Sequence, residues 1–221
     1  MLVARTLLAA LLAVAVSATV NAATATAASP QDVVQNASDR MIAALKAERE
    51  VIKADPARLY PLVEEIVLPH FDFERMSRWV LGKHWRTASD SQKAAFVNEF
   101  RALLVRTYAT AMAEYRDQEI FYLPFKAGSA ADDATVRSEI RAPGAPPIPV
   151  SYNLYLTNNQ WKVYDVVIDG VSMVANYRST FSHEIRQGGL DGLITKLVTR
   201  NQQNNVKSTA ATTPINHATS Q

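Results

Sequence analysis

A chain of 221 residues with 23 Lys+Arg against 21 Asp+Glu has a formal charge of only +2, which supplies no electrostatic case for nucleic acid. It contains no cysteine, which excludes disulfides, thiolate nucleophiles, cysteine-ligated zinc and a lipidated N-terminal cysteine. At this length one hydrophobic core can carry a fold without cross-links.

Taken in chain order, Arg5 is followed by the apolar run TLLAALLAVAVSATVNA, with small residues ahead of a cut after Ala22. This predicts a secretory signal peptide over residues 1–22, with cleavage as late as Ala27 as a further option and an uncleaved membrane anchor as the alternative reading. Loss of Arg5 leaves the mature chain one basic residue from neutrality. Residues 23–200 are read as a single domain and residues 201–221, polar and unpatterned, as a disordered tail.

Val34, Ala37, Met41 and Leu45 recur at helical spacing from Pro30 to about Ala54, behind Ser29 as N-cap. A second helix restarts at Asp55-Pro56, with Leu59, Leu62, Val63, Ile66 and Val67 as its stripe, and ends before Pro69. Asp72 can cap a short helix with Met76, Trp79 and Val80, and Gly82 can end it. Ser89 with Gln92 forms a capping box for a long helix over 90–115, whose apolar face carries Phe96, Phe100, Leu103, Leu104, Thr107, Tyr108 and Met112.

The period then changes to two in QEIFYLPF, ATVRSEIRA, IPVSYNLYLT and WKVYDVVID, which predicts four strands. Val150, Tyr152, Leu154 and Leu156 fall on one face, and Asn158-Asn159-Gln160 predicts an antiparallel hairpin between the last two strands. A helix with Met173, Tyr177, Phe181 and Ile185 ends at Gly188-Gly189, and a final one carries Leu193, Ile194, Leu197 and Val198. Helices, then strands, then helices predict an α+β fold: a twisted, four-stranded, mainly antiparallel sheet with helices packed around it.

Signals for chemistry are sparse. Gly170-Val171-Ser172-Met173-Val174 starts like a nucleophile elbow but lacks its second glycine, so Ser172 reads more simply as a helix cap with Asp169 near the helix start. His70, His84, His183 and His217 form no close-spaced pair, and no metal or cofactor is expected. Asp165 and Asp169 are spaced to share a strand face, a conceivable carboxylate pair without a second signal. Large apolar side chains are abundant instead, and composition does not separate a filled core from a lined cavity.

Four blocks carry a resemblance: Phe71-Asp72-Phe73, Leu81-Gly82-x-x-Trp85-Arg86, Trp161-Lys162-Val163-Tyr164-Asp165 and Gly170-Val171-Ser172-x-Val174-x-Asn176-Tyr177-Arg178. In this order, within residues 30–200, they resemble the MlaC, or toluene-tolerance, family. The resemblance implies a non-enzymatic periplasmic phospholipid carrier that shuttles between an outer-membrane lipoprotein–porin complex and the ring subunit of an inner-membrane ABC transporter, as a monomer, serving outer-membrane lipid asymmetry. A hydrolase acting through Ser172 and a ligand-free adaptor are the alternatives.

On the carrier reading, the helices and sheet enclose an apolar lipid cavity. Its walls are expected to be Val150, Tyr152 and Leu154 on the sheet, facing Phe100, Leu104, Tyr108, Val171, Met173 and Val174. Arg86, Arg137, Arg141 and Arg178 are the candidate headgroup or partner contacts near a mouth or sheet edge.

Overall fold

The computed structural model describes residues 28–125 and 131–210; the predicted signal peptide and residues 211–221 lie outside the described residues. The alternating segments form a meander in which β1 (Glu119–Tyr122), β2 (Asp133–Arg141), β3 (Ile148–Thr157) and β4 (Gln160–Ile168) pair antiparallel in chain order. A two-residue β5 (Val171–Ser172) joins the β4 edge and makes the sheet five-stranded where periodicity predicts four. Two residues are too few for alternation to register. Asn158-Asn159 (φ 47° and 60°) and Asp169-Gly170 (φ 49° and 77°) supply the paired left-handed residues that tight hairpin turns demand.

One irregularity re-aims β4. Asn153 faces Asp165 while Leu154 faces Val163, so Tyr164 is an extra residue, a bulge. Parity flips across it. Trp161 and Val163 thereby share the inner face with Val166 and Ile168, opposite Leu156, Leu154, Tyr152 and Val150 respectively.

The helices are α1 (Pro30–Ala47), α2 (Arg49–Ala54), α3 (Leu59–Ile66), α4 (Phe73–Leu81), α5 (Lys83–Thr87), α6 (Asp90–Ala113) and α7 (Met173–Ala210). The first predicted helix breaks at Glu48 into α1 and α2. Ser29 and Asp32 form a capping box on α1, and Ser89 and Gln92 form the expected one on α6. Asp72 caps α4 by accepting from the Arg75 N–H at 2.8 Å. On α4, Met76 and Val80 are fully buried, but Trp79 is 50% exposed and leans on Tyr164, so it does not belong to the inward stripe.

α7 breaks at Gly189 (φ 70°, ψ 179°), where the sequence predicts a helix end, and resumes as the predicted last helix. It continues to Ala210, past the expected start of the tail. Asn201 accounts for the first of those residues: it is buried, donates to the Glu99 carbonyl and carboxylate at 3.0 and 2.7 Å, and its own carbonyl accepts from Arg106. A polar residue whose amide nitrogen is held this way can be packed inside although its Oδ1 finds no partner, and a hydrophobic pattern does not reveal it.

Two cores result. One joins α1, α4, α6 and α7 to the inner sheet face; the other lies among α1, α2, α3 and α6, with Met41, Leu45, Ile52, Leu59, Val63, Ile66 and Ala109.

Candidate functional site

The inner sheet face is laid out in rows. Ile120, Ile140 and Ile148 form the row at one end, and Ile148 is 45% exposed. Tyr122, Ser138, Val150 and Ile168 come next, then Val136, Tyr152 and Val166, then Ala134, Leu154 and Val163, and finally Leu156 with Trp161. From Val150 to Leu156 this surface runs about 20 Å at ~3.4 Å per residue.

Eight of the nine expected wall residues meet over this face. Phe100, Leu104, Val150, Leu154, Met173 and Val174 are buried in one cluster, with Tyr108 and Tyr152 packed against it. Val171 does not join them: it lies on the edge strand β5 and is 57% exposed. Beside these walls Phe96, Phe100, Tyr177 and Phe181 pack together with ring centroids 5.2 to 5.9 Å apart. A cleft of about 290 Å³ opens at the far end of the face, near Val33, Pro69, His70, Trp161 and Lys162. A second, of about 200 Å³, lies by Pro56, Leu59, Tyr60, Ala109 and Ala113.

Hydroxyls interrupt the apolar surface. Tyr122 stands opposite Ser138, and Tyr152 is diagonal to Ser138 across β2 and β3. Ser138 is 1% exposed, and no partner completes a well-formed hydrogen bond to its Oγ or to the Tyr122 hydroxyl among the described residues, although Tyr152 stands by Ser138 and Ser38 by Tyr122 close enough to act on each other through a looser one. Burial, with Tyr122 adding and Ser138 opposing, pushes the Tyr152 pKa up to about 12. Burial raises Tyr122 as well; the nearby Ser38 opposes that shift and Asp39 adds to it. Tyr108 is raised by burial and by Tyr177. Strand alternation puts Tyr122 and Ser138 inward, so a serine at a core position was the available sequence signal.

Ser172 is committed to structure. Its Oγ accepts from the Ala175 N–H at 3.1 Å and donates to Asp165 at 2.7 Å, while the other Asp165 oxygen accepts from the Val174 N–H at 3.1 Å. Asp165, rather than the expected Asp169, therefore serves the start of α7. Asp169 lies in the turn beyond the end of β4, so it does not share a strand face with Asp165.

Of the histidines, His183 bonds Gln187, and His70 is held below its ordinary pKa by burial and by Lys162 and Arg40. His217 lies outside the described residues. Among the described residues no three metal-ligating side chains gather, and no helix is long and apolar enough to cross a membrane.

The four arginines divide between two regions. Arg137 and Arg141 alternate outward on β2, with Arg141 paired to Glu139 at 2.8 Å and stacked 4.0 Å over Phe121. Arg178 lies over Gly82 at the α4–α5 junction, and the exposed Arg86 follows on α5.

That junction also gathers the four sequence blocks. Phe71 bridges to Val163 and the Asp72 N–H donates to the Val163 carbonyl at 2.9 Å. Gly82 meets Arg178, and Asp165 meets Ser172. The blocks thus frame the meeting of α4, β4 and α7, and they contribute to the inner wall chiefly through Val163, Met173 and Val174.

Comparison with known proteins gives one consistent set of matches. The family model described as MlaC protein matches residues 35–199. "Toluene tolerance protein ttg2D" of Pseudomonas putida is 30% identical over 169 residues, covering 76% of this chain and 78% of the relative. "Intermembrane phospholipid transport system binding protein MlaC" of Haemophilus influenzae is 31% identical over 172 residues, covering 76% and 80%. A solved structure of a phospholipid-binding protein from Ralstonia solanacearum, in complex with a phospholipid, superposes with a TM-score of 0.74 at 32% identity, over 80% of this chain and 99% of that one.

Proposed function

Because the chain belongs to the MlaC family, we propose that it is a periplasmic phospholipid carrier, exported by the N-terminal signal peptide read over residues 1–22. The observation that carries this reading is the likeness to a solved phospholipid complex across nearly the whole of that protein. The largely apolar inner face of the sheet supports it.

The energetics give the role its reason. At ~0.8 kcal/mol per methylene, a tail of about sixteen carbons costs about 12 kcal/mol to expose to water, so a carrier must cover the tails. Burying the phosphate costs several kcal/mol unless it is fully paired, so the headgroup belongs at the mouth. The tails are read as entering between the sheet residues Val150, Tyr152 and Leu154 and the helix residues Phe100, Leu104, Tyr108, Met173 and Val174, which part to admit them. No covalent step is required, and the hydroxyl of Ser172 is already engaged by Asp165 and Ala175.

Organic extraction of the purified mature protein followed by mass spectrometry tests this. Near-stoichiometric phospholipid is expected. Recovery of none overturns the reading in favour of an adaptor, and release of lysolipid or fatty acid on incubation favours a hydrolase.

The near-neutral charge and the absence of a polybasic run argue for docking to anchored proteins rather than to bare lipid. We assign as partners an outer-membrane lipoprotein–porin complex and the ring subunit of an inner-membrane ABC transporter, with the exposed Arg86, Arg137, Arg141 and Arg178 as contacts. Binding to the ring subunit should be micromolar, about −8 kcal/mol, since a tighter shuttle would stop cycling. Strong flotation with protein-free liposomes, undiminished by salt, would instead mean direct insertion into the bilayer.

A further inference from the structure

The carrier reading explains the apolar rows but not the hydroxyls set among them. Tyr122, Ser138 and Tyr152 occupy adjacent positions one and two rows in from the Ile120–Ile140–Ile148 end of the inner face, where Ile148 is exposed and Ile120 and Ile140 are half-buried. That is about 7 to 13 Å from Ile148 at ~3.4 Å per residue. Beyond them the face is apolar to its far end. Enclosing a hydroxyl without a well-formed hydrogen bond costs free energy that alanine and phenylalanine at the same positions would spare, and the Ser138 and Tyr122 hydroxyls are enclosed with only the loosely placed Tyr152 and Ser38 beside them.

We propose that Tyr122, Ser138 and Tyr152 form a polar girdle that donates hydrogen bonds to the glycerol ester carbonyls of the bound lipid, and so sets the depth at which a diacyl lipid sits. The inference rests on the carrier reading and adds the residues that meet the ester groups of the lipid. A lipid lying with its headgroup by the exposed Ile148 and its tails along the apolar rows brings its ester groups to the level of these hydroxyls.

The alternative acceptor in the same molecule, the phosphate, fits poorly. The three hydroxyls sit among Ile140, Val136, Val150 and Ile168, and the charged neighbour that acts on Tyr122 is Asp39, an anion. A buried phosphate would need cationic partners, whereas a neutral ester carbonyl needs only a donor. Tyr152, like any tyrosine at neutral pH, is a protonated donor.

The test offers the delipidated mature protein an equimolar vesicle mixture of diacyl and dialkyl phosphatidylethanolamine with equal chain lengths, and quantifies what it captures by mass spectrometry. The two lipids differ only in the carbonyls. The wild type should favour the diacyl lipid about tenfold, the ratio that one or two net hydrogen bonds lend. Tyr122→Phe, Ser138→Ala and Tyr152→Phe should each lower that ratio, and together bring it near unity. Carbonyl-labelled diacyl lipid should show a lowered C=O stretching frequency in the wild type and not in the combined variant.

Equal capture of the two lipids by the wild type overturns the girdle alone, and means that internal water satisfies these hydroxyls. So does an ester preference that survives in the combined variant. Capture of neither lipid overturns the carrier reading and the girdle together. The wild-type comparison decides by itself, so the test stands even where a variant fails to fold.

Discussion

Asp165 and Ser172 together satisfy two N–H groups at the start of α7, a network that a nucleophile search reads as chemistry. Ser172→Ala should cost about 1 kcal/mol in urea unfolding, the usual value of a lost cap, and leave co-purified lipid unchanged. Loss of lipid without loss of stability would return the serine to a functional role. Tyr152 makes a prediction in pH. Its folded pKa of about 12 lies above the ordinary tyrosine value, so its contribution is fully present below pH 10 and is lost as pH rises from about 10 to 12. In that window the unfolded chain releases the proton and the folded chain keeps it, a loss of up to roughly 3 kcal/mol. Thermal melts of wild type should fall over that range more steeply than those of Tyr152→Phe. Parallel melting curves would mean that the Tyr152 hydroxyl meets water in solution.

Among the elements, Gly82 stands out at the end of α4, at φ 54° and ψ −119°, with the Arg178 guanidinium 3.2 Å from where a Cβ would sit. Gly82→Ala should destabilise by about 1–3 kcal/mol, read as a lowered urea midpoint; an unchanged midpoint would mean that the junction relaxes freely. The sequence made this glycine visible as a helix stop, and likewise exposed the α6 capping box, the Asn158-Asn159 turn and the α7 break, because each depends on local backbone chemistry. The bulge at Tyr164 was not legible. It is fixed by pairing with β3, and it decides which β4 residues face inward. Asn201 escaped for the same reason, since its partner Glu99 lies 102 residues away. For the candidate site, periodicity grouped the strand residues that share a face without saying which face is inward, and Val171 was misplaced because a helix and a two-residue edge strand meet there.

For the molecule as a whole, the question is how packed walls accommodate tails. Leu104→Ala in a filled core should cost about 2–5 kcal/mol. If acyl chains lie against Leu104 in the loaded protein, they can occupy the space left behind. The penalty should then be clearly smaller with lipid bound than after delipidation, measured by paired melts. Equal penalties would place the tails elsewhere. Bound lipid should itself raise the melting temperature in proportion to the logarithm of its concentration over Kd.

Strand order equals chain order in this sheet, which bears on the route by which the chain reaches its fold. Each strand finds its partner immediately before or after it, across short connections that cost little entropy to close. α7 must instead find α6 across about a hundred intervening residues. The hairpins are therefore expected to form first and the C-terminal helix to dock last, so amide hydrogen exchange should be slower in β3 and β4 than in α7. A layer that docks last can also lift first. Lifting it exposes one greasy helical face and leaves the pairing of β1 through β4 untouched, so the breathing of this protein has a natural seam where its folding ended.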